Sequence, residues 1–211
     1  MMGCFFMLKN KDRLKGAMCM SDFREQFINE FYKNITREGS DDLINWLESS
    51  DFFTAPASTK FHSNYEGGLC EHSLNVYECL KDRLSRDGEC EYSEETIAIV
   101  ALLHDVCKVN CYKKDTKNKK IDGKWVQQEF WTIDEKFPCG DHADKSVIIL
   151  QNFIKLEPDE ILAIRAHMGE YDSATKGGSH FISRIFERCR LAVHLHLADT
   201  EAAYLKEKKA E

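Results

Sequence analysis

Proline is scarce, with three in 211 residues. Little therefore interrupts helices, and no Pro- or Ser-rich stretch marks a linker between domains. No CxxC pair occurs among the nine cysteines, an odd number. That argues against a disulfide framework and for reduced thiols packed as small hydrophobes, as at Cys79, Cys107 and Cys189. No apolar run approaches the roughly 20 residues that span a bilayer. Gly3 to Leu8 is apolar but short and has no basic lead-in, which makes a poor secretory signal. The expectation is a cytoplasmic protein with no membrane partner. Basic charge is also in deficit, the formal net charge being −7. This argues against a protein that coats nucleic acid at large, while leaving room for a local basic patch. No internal repeat and no low-complexity segment is present. The length suits one domain with a sizeable core.

What is abundant is helix former, with apolar residues at helical spacing. Residues 1–20 read as a weakly ordered extension, ahead of a single domain at 21–211. Ser21 suits an N-cap for a helix to about Ile35, with Phe23, Phe27, Ile28 and Phe31 on one face. Ser40 suits a cap for a second helix, Asp41 to Glu48, and Phe52 to Thr59 is a loop. Gly67-Gly68 permits a tight turn into a helix to about Arg86, whose inner face carries Leu69, His72, Val76, Cys79 and Leu80. Ser93 opens a central helix, with Glu94 and Glu95 at its positive end. Asp122-Gly123 is a hairpin turn signal, so Trp125 to Ile133 reads as a strand paired with Val109 to Thr116, a small β-hairpin insertion at about 109–133. Its lysines (Lys113, Lys114, Lys117, Lys119, Lys120, Lys124) make either a solvated hairpin or a lid that attracts phosphates. Asp141 caps a helix to about Lys155, with His142 in its first turn. Pro158 starts a short helix ending near His167. A long final helix runs from about His180 to Lys206, with Ile182, Ile185, Cys189, Ala192, His196 and Asp199 near one face.

The chemistry gathers on this helical frame. Ile97 to Leu103 is apolar on every face, which predicts a helix buried all round. His104 and Asp105 follow with no polar transition, and a buried carboxylate is costly unless paired or bound to a metal. His72, His142, His167 and Asp199 likewise fall on inward faces or at helix ends. Imidazole and carboxylate donors suit Fe, Mn, Ni, Co or Zn rather than Ca, and one shared centre removes the cost of several separate burials.

Gly67-Gly68-Leu69-Cys70-Glu71-His72-Ser73 and Ala101-Leu102-Leu103-His104-Asp105-Val106-Cys107-Lys108, with Asp199, resemble the motifs of the HD superfamily of metal-dependent phosphohydrolases. The nearest likeness is to the HD domain of bacterial 3′–5′ exoribonucleases and related stand-alone proteins, over roughly residues 60–204. The resemblance implies an all-α HD-domain bundle binding one or two divalent metal ions (Mn, Fe, Ni, Co or Zn, with Mg a further candidate). His72, His104, Asp105 and Asp199 would hold the first. His142 and His167 would hold a second, bridged by Asp105, and Lys108 would stand near the scissile phosphate. Asp105 and Lys108 are thus the candidate catalytic residues, with Lys108 and His62 as candidate substrate contacts. His62 could touch phosphate or protonate a leaving group. Cys107 stands where glycine is common, and an oligonucleotide-binding domain is not expected ahead of this one, which speaks against processive RNA degradation. His194 and His196 are not expected as ligands, although His196 should lie nearer the site. Arg165 reads as a phosphate clamp or, preferred, a surface charge on the short helix. The expected activity is hydrolysis of a phosphoester of a nucleotide, cyclic nucleotide or short oligonucleotide by a metal-activated water. The partner is then a small phosphorylated substrate, with short nucleic acid as a further candidate. The alternatives are an HD-fold di-iron oxygenase acting on a small molecule, or a non-catalytic nucleotide-binding regulatory module.

Overall fold

The computed structural model describes residues 20–88 and 92–207. In chain order come α1 (Met20–Asn34), α2 (Ser40–Ser49), α3 (Gly68–Asp87), α4 (Glu94–Leu103) and a 3₁₀ turn at Val106–Lys108. Strands β1 (Tyr112–Ile121) and β2 (Lys124–Ile133) follow, then α5 (His142–Gln151), α6 (Pro158–Ala166) and a 3₁₀ turn at Gly169–Tyr171. The last elements are α7 (Ser173–Lys176), α8 (Phe181–Arg188), α9 (Arg190–Glu201) and a π turn at Ala202–Lys206. The fold is thus a helical bundle with one antiparallel hairpin, as expected. Among the described residues no helix is long and apolar enough to cross a membrane.

α4 is the central helix because it has no polar face to turn outward. Ile97 through Leu103 are all buried. The side chain of Ser93 accepts from Thr96 N at 3.0 Å and so starts the helix. α3 packs against α4 and α9, α6 lies on α9, and α5 lies on α6. Phe27, Phe52 and Phe53 close the α1 side through tilted and edge-on ring contacts 4.9–5.6 Å apart. Glu160 is fully buried, yet its carboxylate is satisfied by Arg37 at 2.6 and 3.0 Å and by Thr96 Oγ1 at 2.9 Å. That pairing joins the α1–α2 turn, α4 and α6.

Several boundaries differ from expectation. The extension proposed for residues 1–20 falls outside the described residues except for Met20, which opens α1, so Ser21 stands inside that helix rather than capping it. Gly39, not Ser40, is the N-cap of α2. It takes φ +88°, and a Cβ there would sit 1.8 Å from the carbonyl oxygen of Phe153, so a serine cap has no room. α5 stops at Gln151, short of Lys155, where the chain turns and brings Phe153 against Gly39. The hairpin is longer than expected and its first strand begins later. Val109 and Asn110 are used in leaving the 3₁₀ turn, Asn110 at φ +55°, so pairing runs from Tyr112 opposite Ile133 to Ile121 opposite Lys124. The final helix is not continuous either. Cys189 is extended (φ −125°, ψ 101°) and buried, which breaks it into α8 and α9.

The close approach that matters most for the site lies at Gly68. A Cβ on it would fall 2.0 Å from the carbonyl oxygen of Ser63. Ser63 is itself buried at φ +42° and accepts from Ala57 N at 3.0 Å. The start of α3 and the loop at 59–66 are therefore pressed together backbone to backbone. Gly68→Ala is expected to cost roughly 1–3 kcal/mol through overpacking. It should lower the urea midpoint at constant slope, and an unchanged midpoint would show that the loop can move aside freely.

Candidate metal centre

Two helices end at the site in the same way. His104 occupies the C-cap position of α4 and turns back so that Nδ1 lies 2.9 Å from the carbonyl of Ala101. His167 caps α6, with Nδ1 2.6 Å from the carbonyl of Ile164. The last carbonyls of a helix lack N–H partners, and an imidazole three residues on supplies one. Donation from Nδ1–H leaves Nε2 as a free acceptor, the tautomer a metal-binding histidine needs. Early in α3, His72 reaches the same state by another route, its Nδ1 lying 2.8 Å from Oε1 of Glu207. Nε2 of His72, His104 and His167 are all buried without a hydrogen-bond partner.

These three atoms face Asp105, which is 2% exposed. Its two oxygens look in different directions. Oδ2 accepts from Lys108 Nζ at 2.6 Å and lies 3.4 Å from Nε2 of His104 and 3.5 Å from Nε2 of His72. Oδ1 lies 2.6 Å from Nε2 of His142 and 3.6 Å from Nε2 of His167. His142 is the first residue of α5, set there by Asp141, which forms a capping box with Asp144. The Cys107 thiol packs 3.4 Å from its Nδ1. Asp199, on α9, joins from the His72 side, with Oδ1 3.2 Å from Nε2 of His72 but without hydrogen-bond direction.

Burial alone would push the Asp105 carboxyl up. Lys108, His104 and His142 outweigh it and hold Asp105 well below the usual carboxylate range. Burial likewise opposes charge on Asp199, and His72 overcomes it. For His72 burial works against the cation, yet Glu207 and Asp199 carry its pKa up to about 10. Lys108 stays charged because Asp105 more than offsets its desolvation. His62 goes the other way. Burial, with His72 and Lys108 adding to it, lowers its pKa to about 4, so it is neutral at neutral pH.

His72, His104, Asp105, Lys108, His142, His167 and Asp199 therefore share one cluster, and His62 lies beside it with its ring 4.7 Å from that of His72. Lys108 is engaged by Asp105 rather than reaching into open space. His196 is nearer than His194, as expected: its Nδ1 is 2.7 Å from the carbonyl of His167, whereas His194 pairs with Asp87 at 2.6 Å. Arg165 is not the surface charge it was expected to be. It pairs with Asp144 and, at 2.5 Å, with Asp172, and lies over the Phe181 ring, tying α5, α6 and α8 together. Glu207 was missed. It stands just past Lys206, the expected end of the final helix, yet its carboxylate is buried and also takes Ser63 Oγ at 2.8 Å and Asn75 Nδ2 at 3.3 Å. Partnerless imidazole acceptors facing the buried Asp105 and the partly buried Asp199 fit a divalent transition metal, with His72, His104 and Asp199 as one donor group and His104, Asp105 and His167 as another.

The HD domain family matches residues 69–205. A dihydroneopterin 2′,3′-cyclic phosphate phosphodiesterase from Methanocaldococcus jannaschii is 34% identical over 83 residues, which is 38% of this chain and 31% of that protein. The match thus spans about a third of that relative's length. No solved structure matches the chain. With the family span running from the start of α3 through α9, and both helix-end histidines, Asp105 and Asp199 inside it, the chain belongs to the HD domain family.

Proposed function

We propose that this chain is a metal-dependent phosphohydrolase that cleaves a phosphoester of a nucleotide, cyclic nucleotide or short oligonucleotide. The observation that carries the reading is the set of buried Nε2 atoms, each freed by a hydrogen bond at Nδ1 and each turned toward Asp105. The HD family and the phosphodiesterase named for the Methanocaldococcus jannaschii relative support phosphoester chemistry over the alternatives. A divalent metal supplies an activated water near neutral pH and screens phosphate charge.

His72, His104 and Asp199 are assigned to one metal, with Oδ2 of Asp105. His142 and His167 would hold a second, with Asp105 shared between the two groups. Lys108 brings a fixed positive charge to the edge of this group, where it would oppose negative charge growing on the phosphate. His62, neutral at neutral pH, serves as an N–H donor to phosphate rather than as a cationic acid. Glu207 holds the His72 ring and its tautomer.

Metal analysis of the purified chain, with a screen of mono-, cyclic and oligonucleotides under Mn²⁺, Ni²⁺ and Fe²⁺, tests the reading. His72→Ala and Asp199→Ala should each abolish hydrolysis and reduce bound metal. Wild-type metal content in either would sink the assignment, and oxygen uptake without phosphoester cleavage would overturn the activity. Lys108→Ala should keep its metal, since removing a competing cation favours it, while turnover drops on the order of a hundredfold. Unchanged turnover would reduce Lys108 to a structural partner of Asp105. Glu207→Ala should weaken metal affinity roughly 10–100-fold, the usual effect of losing a ligand's hydrogen-bond partner. Competition with a chelator measures this, and wild-type affinity would show that His72 needs no support.

A further inference from the structure

The lysine-rich hairpin takes no part in the metal cluster, yet its construction is specific. Between Tyr112 and Ile133 it carries six lysines against Asp115, Asp122 and Glu129, a local surplus of positive charge in a chain of net charge −7. Both strands are exposed over most of their length. The register sets Lys114 opposite Trp131 and Lys120 opposite Trp125, so both pairs share one face. Lys114 Nζ lies 5.2 Å from the centre of the Trp131 ring, and on the other face Lys117 Nζ lies 4.9 Å from that of Phe130. Trp125, near the tip, is 72% exposed with no packing that explains a tryptophan there. The six steps from Trp125 to Trp131 cover about 20 Å of strand.

At its base the hairpin forms a cleft of about 440 Å³ with the loop at 59–66, lined by Lys60, Asn64, Lys114, Lys117, Phe130 and Trp131 among others. That volume lies within the roughly 300–1,000 Å³ of ligand sites. Both walls are rooted in the metal cluster. The loop carries His62, whose ring lies 4.7 Å from that of His72 at a tilt of 37°, and β1 begins at Tyr112, just after the 3₁₀ turn that carries Lys108.

We infer that the hairpin and this cleft form a binding track for single-stranded nucleic acid leading to the metal centre. Bases would stack on Trp131 and Trp125, which share a face, while phosphates would meet Lys60, Lys114 and Lys120. Aromatic faces interleaved with cations are the chemistry of single-strand sites. A mononucleotide would use only the cleft and leave the charged, aromatic outer half of the hairpin without a role. A duplex keeps its bases stacked inside, away from such rings. Glu66 reaches Lys114 across the cleft at 3.5 Å and would yield it to an incoming phosphate.

This inference rests on the phosphohydrolase reading for its direction, but its test does not need turnover. The full chain is titrated into a labelled single-stranded oligonucleotide of about a dozen residues, within the usual span of such sites, carrying a hydrolysis-resistant backbone. Anisotropy reports binding. Affinity should fall as salt rises, and Lys114→Gln/Lys120→Gln should flatten the log–log salt dependence by roughly 0.7 per lysine. Trp125→Ala, at a largely exposed position, should weaken binding about tenfold with an unchanged thermal melt. A mononucleotide or duplex that binds as tightly would overturn the inference, as would equal competition by heparin or anionic vesicles, or variants that bind like the wild type. Failure of binding leaves phosphohydrolysis standing, and a chain that binds the strand but cleaves nothing overturns only the proposed activity.

Discussion

Asp105 is a carboxylate with almost no water, and desolvating such a charge is affordable only where positive charge or its equivalent surrounds it. The bundle is arranged to supply that surround. α4 ends beside it, α6 ends beside it and α5 begins there, while α3 and α9 contribute from the opposite side. The C-terminal ends of α4 and α6 add the negative pole of their backbone dipoles to the charges of Asp105, Asp199 and Glu207. Without a metal, Lys108 and the high-pKa His72 are the counter-charges. On the proposed assignment, protonation of His72 and metal coordination at its Nε2 would be alternatives, so metal uptake at neutral pH would be coupled to loss of that proton.

Much of this frame was legible because it depends on local pattern. An apolar run with no polar face can only be the central helix, and His104-Asp105 at its end had to meet a charge or a metal. Asp141 ahead of His142 and Pro158 ahead of the α6 run gave real helix starts. The repeated construction at His104 and His167 was half visible: each histidine closes a helix, but the folding of Nδ1 onto the carbonyl three residues back emerges only in the structure.

What stayed hidden depends on contacts between distant segments. Gly39 displaces Ser40 as a cap because the backbone of Phe153, over a hundred residues on, sits where a side chain would go. The break at Cys189 has no proline or glycine to announce it. There a buried thiol, 3.7 Å from the carbonyl of Asp159, replaces helical continuity. Arg165 looked like a surface charge because its partners, Asp144 and Asp172, lie on other elements. In each case a local preference was overridden by a tertiary contact, as helix propensities routinely are.

Glu207 carries that lesson into the chemistry. The family span covers residues 69–205 and contains every residue assigned to the metal, but His62, Ser63 and Glu207 stand just outside it. These three govern His72. Glu207 fixes its Nδ1, Ser63 fixes Glu207 from a left-handed backbone position, and the ring of His62 packs 4.7 Å from its own. Gly68 then locks Ser63 in place, because no side chain fits between them. The glycine pair ahead of α3 is thus part of the electrostatics of the site as well as a helix start. It holds the loop that holds the glutamate that sets the proton on His72.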